Sequence, residues 1–206
     1  MVSSTLRQTL RKELRLKRQS LSPTEQQKAA QQVYNQLQLL PQITQASHVA
    51  CYLPNDGEVS LTPFIDFCWQ AAATEAHPTL SLPVLHPVCK GHLLFLQYHA
   101  KTQMNNNTFG IPEPVLRCPD VIPTRQHHVI LMPLVGFDSQ GNRLGMGGGF
   151  YDRTLASIHD YRVRPLLVGI AHDCQQVASL PIQRWDVPLD AIVTPTRVLP
   201  FTSQFK

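Results

Sequence analysis

No stretch of the 206-residue sequence approaches the roughly 20 consecutive apolar positions that carry a helix across a bilayer. The first residues carry charges throughout and no uninterrupted apolar core, so they do not read as a secretory signal. Five cysteines, Cys51, Cys68, Cys89, Cys118 and Cys174, lie far apart without a CxxC pair. An odd, scattered set of this kind reads as reduced thiols, most of them small core residues, and predicts a cytoplasmic protein. No low-complexity run, internal repeat or linker divides the chain. The length supports one hydrophobic core and barely two, so a single domain over residues 1–206 is expected. The nine histidines show no HExxH and no paired metal spacing. His127 and His128 stand just before an apolar run and read as surface or core residues. His172, Asp173 and Cys174 are tempting residue types, but neighbours in sequence are not a triad. No covalent nucleophile is expected.

What is present begins with a basic helix. Leu6, Leu10, Leu14 and Leu21 fall near one face, while Arg7, Arg11, Arg15 and Arg18 track along another. Such a track ordinarily faces solvent, and it suits an anionic partner. Ser22, Pro23 and Glu25 supply an N-cap, a first-turn proline and a capping-box acid, so a second helix is expected to about Leu40. A strand is expected over Ser47–Leu53 and a helix over Leu61–Ala73. Leu80–Leu85 and His92–Tyr98 read as strands joined at Lys90-Gly91. Lys101–Asp120, rich in Asn and Pro, reads as a long loop of functional kind. Val129–Val135 is an apolar run fit for burial on both faces, Tyr151–Ile158 is helical, and Leu166–Ile170 and Ala191–Val193 complete the strands. Strands alternating with helices predict a single three-layer α/β/α domain around a largely parallel central sheet.

The chemistry concentrates between Phe137 and Asp152. A buried strand ends, the chain turns at Ser139–Asn142, and four glycines occupy the five positions from Gly145 to Gly149. Glycines let backbone N–H groups approach an anion closely, and a following helix start would add free N–H donors. Arg143 brings a permanently charged fork for phosphate oxygens. This is neither GxxxxGK[ST] nor GxGxxG. Asp152, in the expected first helical turn, is an oxygen ligand suited to Mg²⁺ beside a phosphate site.

Arg143-Leu144-Gly145-Met146-Gly147-Gly148-Gly149-Phe150-Tyr151-Asp152 resembles the R-L-G-x-G-x-G-[YF]-Y-D signature of 5-formyltetrahydrofolate cyclo-ligases, also called methenyltetrahydrofolate synthetases. The likeness extends to the basic first helix, to Tyr52–Glu58, to Phe109–Pro114 and to Trp185–Asp190, in family order, and is closest to the bacterial branch. The resemblance implies ATP binding by Arg7, Arg11, Arg143, Leu144, Gly145, Met146, Gly147, Gly148, Gly149, Phe150 and Tyr151. Arg7 stands where the family commonly has Lys, which keeps the charge and changes a point contact to a fork. Asp152 and Asp186 match the Mg²⁺-associated carboxylates. Glu58 matches the acid that contacts folate, with Pro54, Phe109 and Tyr151 lining the pterin pocket.

The implied reaction closes 5-formyltetrahydrofolate, with or without a polyglutamate tail, to 5,10-methenyltetrahydrofolate while ATP becomes ADP and phosphate. The γ-phosphoryl group passes to the formyl oxygen, N10 attacks the activated carbon and phosphate departs. The fold implied is that shared with sugar-phosphate isomerases and CoA-transferases, which makes an enzyme of that kind one rival. A nucleic-acid-binding module using the basic helix is the other. A monomer acting without nucleic acid or membrane is expected.

Overall fold

The computed structural model describes residues 2–71 and 77–205. In chain order, α1 spans Val2–Gln19, α2 Pro23–Gln38, α3 Pro41–Thr44, β1 His48–Ala50, α4 Thr62–Ala71, β2 Thr79–Leu85 and β3 Leu93–Gln97. There follow β4 (Met104–Asn106), β5 (Pro112–Pro114), β6 (Val129–Pro133), β7 (Gly136–Phe137), β8 (Arg143–Leu144), α5 (Phe150–Thr154), β9 (Leu166–Ile170), β10 (Ala191–Val193) and β11 (Val198–Pro200). The capping box forms as read: the Ser22 hydroxyl accepts the Glu25 N–H, and the Glu25 carboxylate accepts the Ser22 N–H at 2.8 Å.

Seven strands make the central sheet, in the order β11-β10-β9-β6-β1-β2-β3. The five inner strands are mutually parallel, and β3 and β11 close the edges antiparallel. Alternate strand residues feed two cores. Val49, Leu80, Leu131 and Val168 pack under α2, α3 and α4, while Ala50, Ile130, Met132 and Leu167 face α5 and the turn after it. Parallel strands covered on both faces explain why β6 reads as one continuous apolar run. The sheet is layered as expected, although its second covering layer is thin.

Four expectations are corrected. The track of arginines on α1 does not simply face solvent: Arg18 is 0% exposed and Arg7 12%, although Arg15 keeps 42% of its side-chain exposure, and Leu21 lies beyond the end of the helix. Lys101–Asp120 is not a structureless loop, because β4 and β5 pair antiparallel and Cys118–Asp120 forms a 3₁₀ turn. The Asn107 side chain accepts the N–H groups of Phe109 and Ile111 and closes that hairpin, a local bond to which Asn is suited. β6 stops at Pro133 because the Leu134 carbonyl leaves the ladder to accept from Arg18 and Gln175. Finally, α5 has five residues, with a 3₁₀ turn at Ile158–Asp160 after it. The Thr154 hydroxyl bonds back to the Phe150 carbonyl at 2.7 Å, a competitor to helix propagation. The last two positions expected for the helix at Leu61–Ala73, residues 72–73, lie outside the described residues.

Candidate active site

Chain order reverses between β1 and β6: from β1 the chain moves to β2 on one side, whereas β6 leads to β9 on the other. Ligands bind outside the carboxyl ends of strands at such a switch point. Here a cleft of about 830 Å³ opens, lined after β1 by Tyr52, Leu53, Asn55, Asp56 and Glu58 and from β6 by Pro133 and Leu134. The ribbon β7–β8 then returns the chain so that Gly145–Gly149 forms its next wall, and Arg7 and Arg11 of α1 close that end.

The glycine loop is built around backbone that side chains rarely adopt. Gly147 has φ +102° and Gly149 φ +66°. A Cβ on Gly147 would also meet the Arg11 guanidinium at 3.4 Å. Arg11 Nε donates to the Gly145 carbonyl at 2.8 Å, so the helix holds the loop from one side. Arg153 holds it from the other, donating to the carbonyls of Gly148 and, at 2.9 Å, Gly91. Two arginines thereby occupy loop carbonyls and favour turning N–H groups the other way, the arrangement that cradles anions. The short α5 contributes less than the full helix expected from the sequence.

Arg7 donates to both carboxylate oxygens of Asp186, at 2.5 and 3.1 Å, and to the Pro181 carbonyl at 2.9 Å. Arg143 donates to Asp152 Oδ1 at 2.5 Å. The same oxygen accepts the Val187 N–H at 3.2 Å, which brings the segment carrying Asp186 against Asp152. Two carboxylates 34 positions apart in sequence thus line the same cleft. No group of three or more His, Cys, Asp or Glu that could hold a metal exists among the described residues. A two-carboxylate site nonetheless fits Mg²⁺, which prefers oxygen ligands and keeps waters and substrate phosphates in its remaining positions.

At the other end, Glu58 is 10% exposed at its side chain. Oε2 accepts the Asn55 N–H at 3.1 Å, and Oε1 lies 3.7 Å from Arg18 Nη2. Burial pushes its carboxyl up to about 7, against the pull of Arg18. The Tyr151 hydroxyl is buried without a hydrogen-bond partner among the described residues, and burial with the nearby Glu58 raises its pKa. Arg143 Nε is likewise buried and unpartnered among the described residues. Both residues line the cleft, so a polar ligand there would satisfy atoms that otherwise carry a desolvation cost.

Most residues singled out from the sequence meet here, with three differences. Leu144 is buried in the ribbon, its carbonyl accepting the Val135 N–H, and does not line the cleft. Pro54 is exposed, and its neighbours Leu53 and Asn55 line the wall instead. Arg143 lies beneath the loop at 3% side-chain exposure, tied to Asp152, and is no free fork. Phe109 is 62% exposed, edge-on to Phe150 at 5.8 Å, so it belongs to the cleft and not to the core. Arg7, Arg11, Arg15 and Arg18 all bond within the protein, to Asp186, the Gly145 carbonyl, Asp56 and the Leu134 carbonyl. Cys174 is half-buried and its thiol is pushed up by burial, the opposite of an activated nucleophile.

Sequence reasoning missed Arg18, Asp56, Asn107, Glu113 and the exposed Trp185, all of which line or support the cleft. Glu113 accepts from Asn107 and from the Leu85 N–H, so it anchors the β4–β5 hairpin over the opening. The Asn run before Phe109 was the available signal for that turn.

A family model described as the 5-formyltetrahydrofolate cyclo-ligase family matches residues 3–195. The chain is 44% identical to the 5-formyltetrahydrofolate cyclo-ligase of Escherichia coli over 185 residues, covering 90% of this chain and 98% of that protein. It is 44% identical to the Haemophilus influenzae protein of the same name over 183 residues, 89% and 94% of the two chains. Among solved structures, the 5,10-methenyltetrahydrofolate synthetase of Aquifex aeolicus superposes with a TM-score of 0.80 at 33% identity, covering 96% of this chain and 94% of that one. The synthetase of Mycoplasma pneumoniae gives 0.69 at 26% identity, with 92% and 98% covered.

Proposed function

The chain belongs to the 5-formyltetrahydrofolate cyclo-ligase family, and we propose that its cleft closes 5-formyltetrahydrofolate to 5,10-methenyltetrahydrofolate at the expense of ATP. One observation carries the reading. A single cavity joins an anion-binding end (Arg7, Arg11, Gly145–Gly149, Asp152 and Asp186) to a partly apolar end holding Glu58, Tyr151 and Phe109. The sugar-phosphate isomerase and CoA-transferase alternative finds no support in the relatives.

A formamide oxygen is a poor leaving group. ATP supplies the phosphoryl group that makes it a good one, after which N10 attacks the formyl carbon and the oxygen departs with phosphate. The chain's own residues position and neutralise. The glycine-loop N–H groups, Arg7 and Arg11 hold the polyphosphate. Asp152 and Asp186 would hold Mg²⁺, which when bound would offset phosphate charge. Glu58 accepts N–H donors of the pterin, and Tyr151 and Phe109 give the flat ring its walls. No side chain forms a covalent intermediate. We read the chain as one catalytic domain acting as a monomer in a reducing cytoplasm, consistent with its five free cysteines. Purified protein with MgATP and 5-formyltetrahydrofolate should generate the near-ultraviolet absorbance of the methenyl product. Omission of ATP or addition of a chelator should abolish it. Turnover without ATP would overturn the proposal.

A further inference from the structure

Arg18 stands outside every role so far assigned, yet it heads the largest fully buried side chains among the described residues, at 0% exposure. Its contacts converge on the switch point. Nε donates to the Asp56 carbonyl at 2.8 Å, Nη2 to Asp56 Oδ2 at 2.8 Å, and Nη1 to the Leu134 carbonyl at 3.0 Å. Nη2 also lies 3.8 Å from Met146 Sδ in the glycine loop and 3.7 Å from Glu58 Oε1. One guanidinium therefore touches the exit of β6, the loop after β1, the phosphate loop and the acid of the other half-site.

The backbone it grips is special. Asp56, at φ +53°, is the one non-glycine residue with positive φ among the described residues, and Gly57 follows at φ +78°. Short polar residues tolerate this region when something holds them there. Here Arg15 and Arg18 both bond the Asp56 carboxylate, which the hydrogen bond from Arg15, together with Arg18, lowers to about 2. The left-handed pair then turns the chain so that Glu58 points back into the cleft, with its backbone N–H on the Asn55 carbonyl at 3.0 Å.

We propose that Arg18 is a positioning residue for the reaction, fixing the Asp56-Gly57 turn that presents Glu58 and acting as the cation that sets how readily Glu58 ionises. The inference rests on the folate reading of Glu58 and assigns a new residue to that site. The charged and titratable groups facing Glu58 are Arg18 from α1, Asp56 from its own loop, Tyr52 after β1 and Tyr151 from α5. Arg18 is the only one of them that favours the ionised form. Its full burial makes the interaction little screened by salt.

The test reads Glu58 without any ligand or turnover. The side-chain carboxyl carbons of glutamate are isotopically labelled, the Glu58 signal is assigned by its loss in Glu58→Gln, and its titration is followed by NMR. The wild-type midpoint is expected near 7. Arg18→Met should move it up by about one pH unit or more, whereas Arg18→Lys, which keeps charge and loses the fork, should stay close to wild type. In active protein the pH dependence of the folate KM should shift with it, and kcat should fall in both variants because the turn loosens. If Arg18→Met does not fold, a wild-type-like kcat and folate KM in Arg18→Lys would still overturn the positioning role. A midpoint unchanged in a folded Arg18→Met overturns the electrostatic one. Loss of turnover in wild type would instead refute the folate reading and leave the titration standing.

Discussion

Arg7 grips both carboxylate oxygens of Asp186 from 179 positions away in sequence, and each side chain retains only about a tenth of its exposure. In the proposed site Asp186 would serve both this arginine and the Mg²⁺ ion. Asp186→Asn should raise the Mg²⁺ concentration for half-maximal turnover by roughly 10-fold, the usual scale for losing a supporting ligand. A magnesium titration of initial rates checks this. An unchanged requirement would make Asp186 only the partner of Arg7.

Asp152 holds Arg143, whose side chain is 3% exposed. Asp152→Ala should therefore abolish cyclisation and also strand a buried cation, with a stability loss on the order of 3 kcal/mol. Asp152→Asn keeps hydrogen-bond acceptors and should lose activity with a smaller fall in Tm. Denaturant curves beside rate measurements separate the two effects. Near-normal turnover in either variant at saturating Mg²⁺ would remove Asp152 from the metal site.

Glu58 makes stability depend on pH. Its folded pKa, about 7, lies above the usual 4.5, so the folded state holds this proton more tightly than the unfolded chain. The contribution is fully present below about pH 4.5 and is lost as pH rises through 7. Glu58→Gln carries no such loss, and its advantage over wild type should grow across that window by up to roughly 3 kcal/mol. The same variant should raise the folate KM and leave the ATP KM unchanged. Tm measured from pH 5 to pH 8 gives the first result, and a constant difference would contradict the burial argument.

Gly147→Ala should be felt at the nucleotide. The residue adopts φ +102°, which side chains rarely adopt, and an added methyl would touch the Arg11 guanidinium. The strain exceeds about 1 kcal/mol, and relief by shifting the loop should raise the ATP KM roughly 10-fold. The folate KM should hold. A change confined to folate would place the loop wrongly.

Much of this site was legible because its chemistry is local in sequence. The glycine loop, Arg143, Tyr151 and Asp152 occupy one decamer, and the resemblance it carries located Arg7, Asp186 and Glu58. The long apolar run of β6 and the capping box at Ser22 follow from period and spacing alone. What escaped depends on partners distant in the chain. Nothing in the helix pattern says that Arg18 faces inward, since its burial is decided by the Asp56 carboxylate and the Leu134 carbonyl. The β4–β5 hairpin was hidden because side-chain bonds of Asn107 shape its turn, and hydrophobic alternation does not. Leu144 sits in a binding motif yet packs into a ribbon, so a motif's outline overstated its contact surface.

In the proposed reaction one cleft sets the terminal phosphoryl group of ATP against the formyl oxygen. The most direct test uses 5-formyltetrahydrofolate labelled with heavy oxygen in its formyl group, with MgATP and mass analysis of the products. One labelled oxygen should appear in inorganic phosphate for each methenyl group formed. Recovery of the label in water, with unlabelled phosphate, would show that the two halves of the cleft do not react across it.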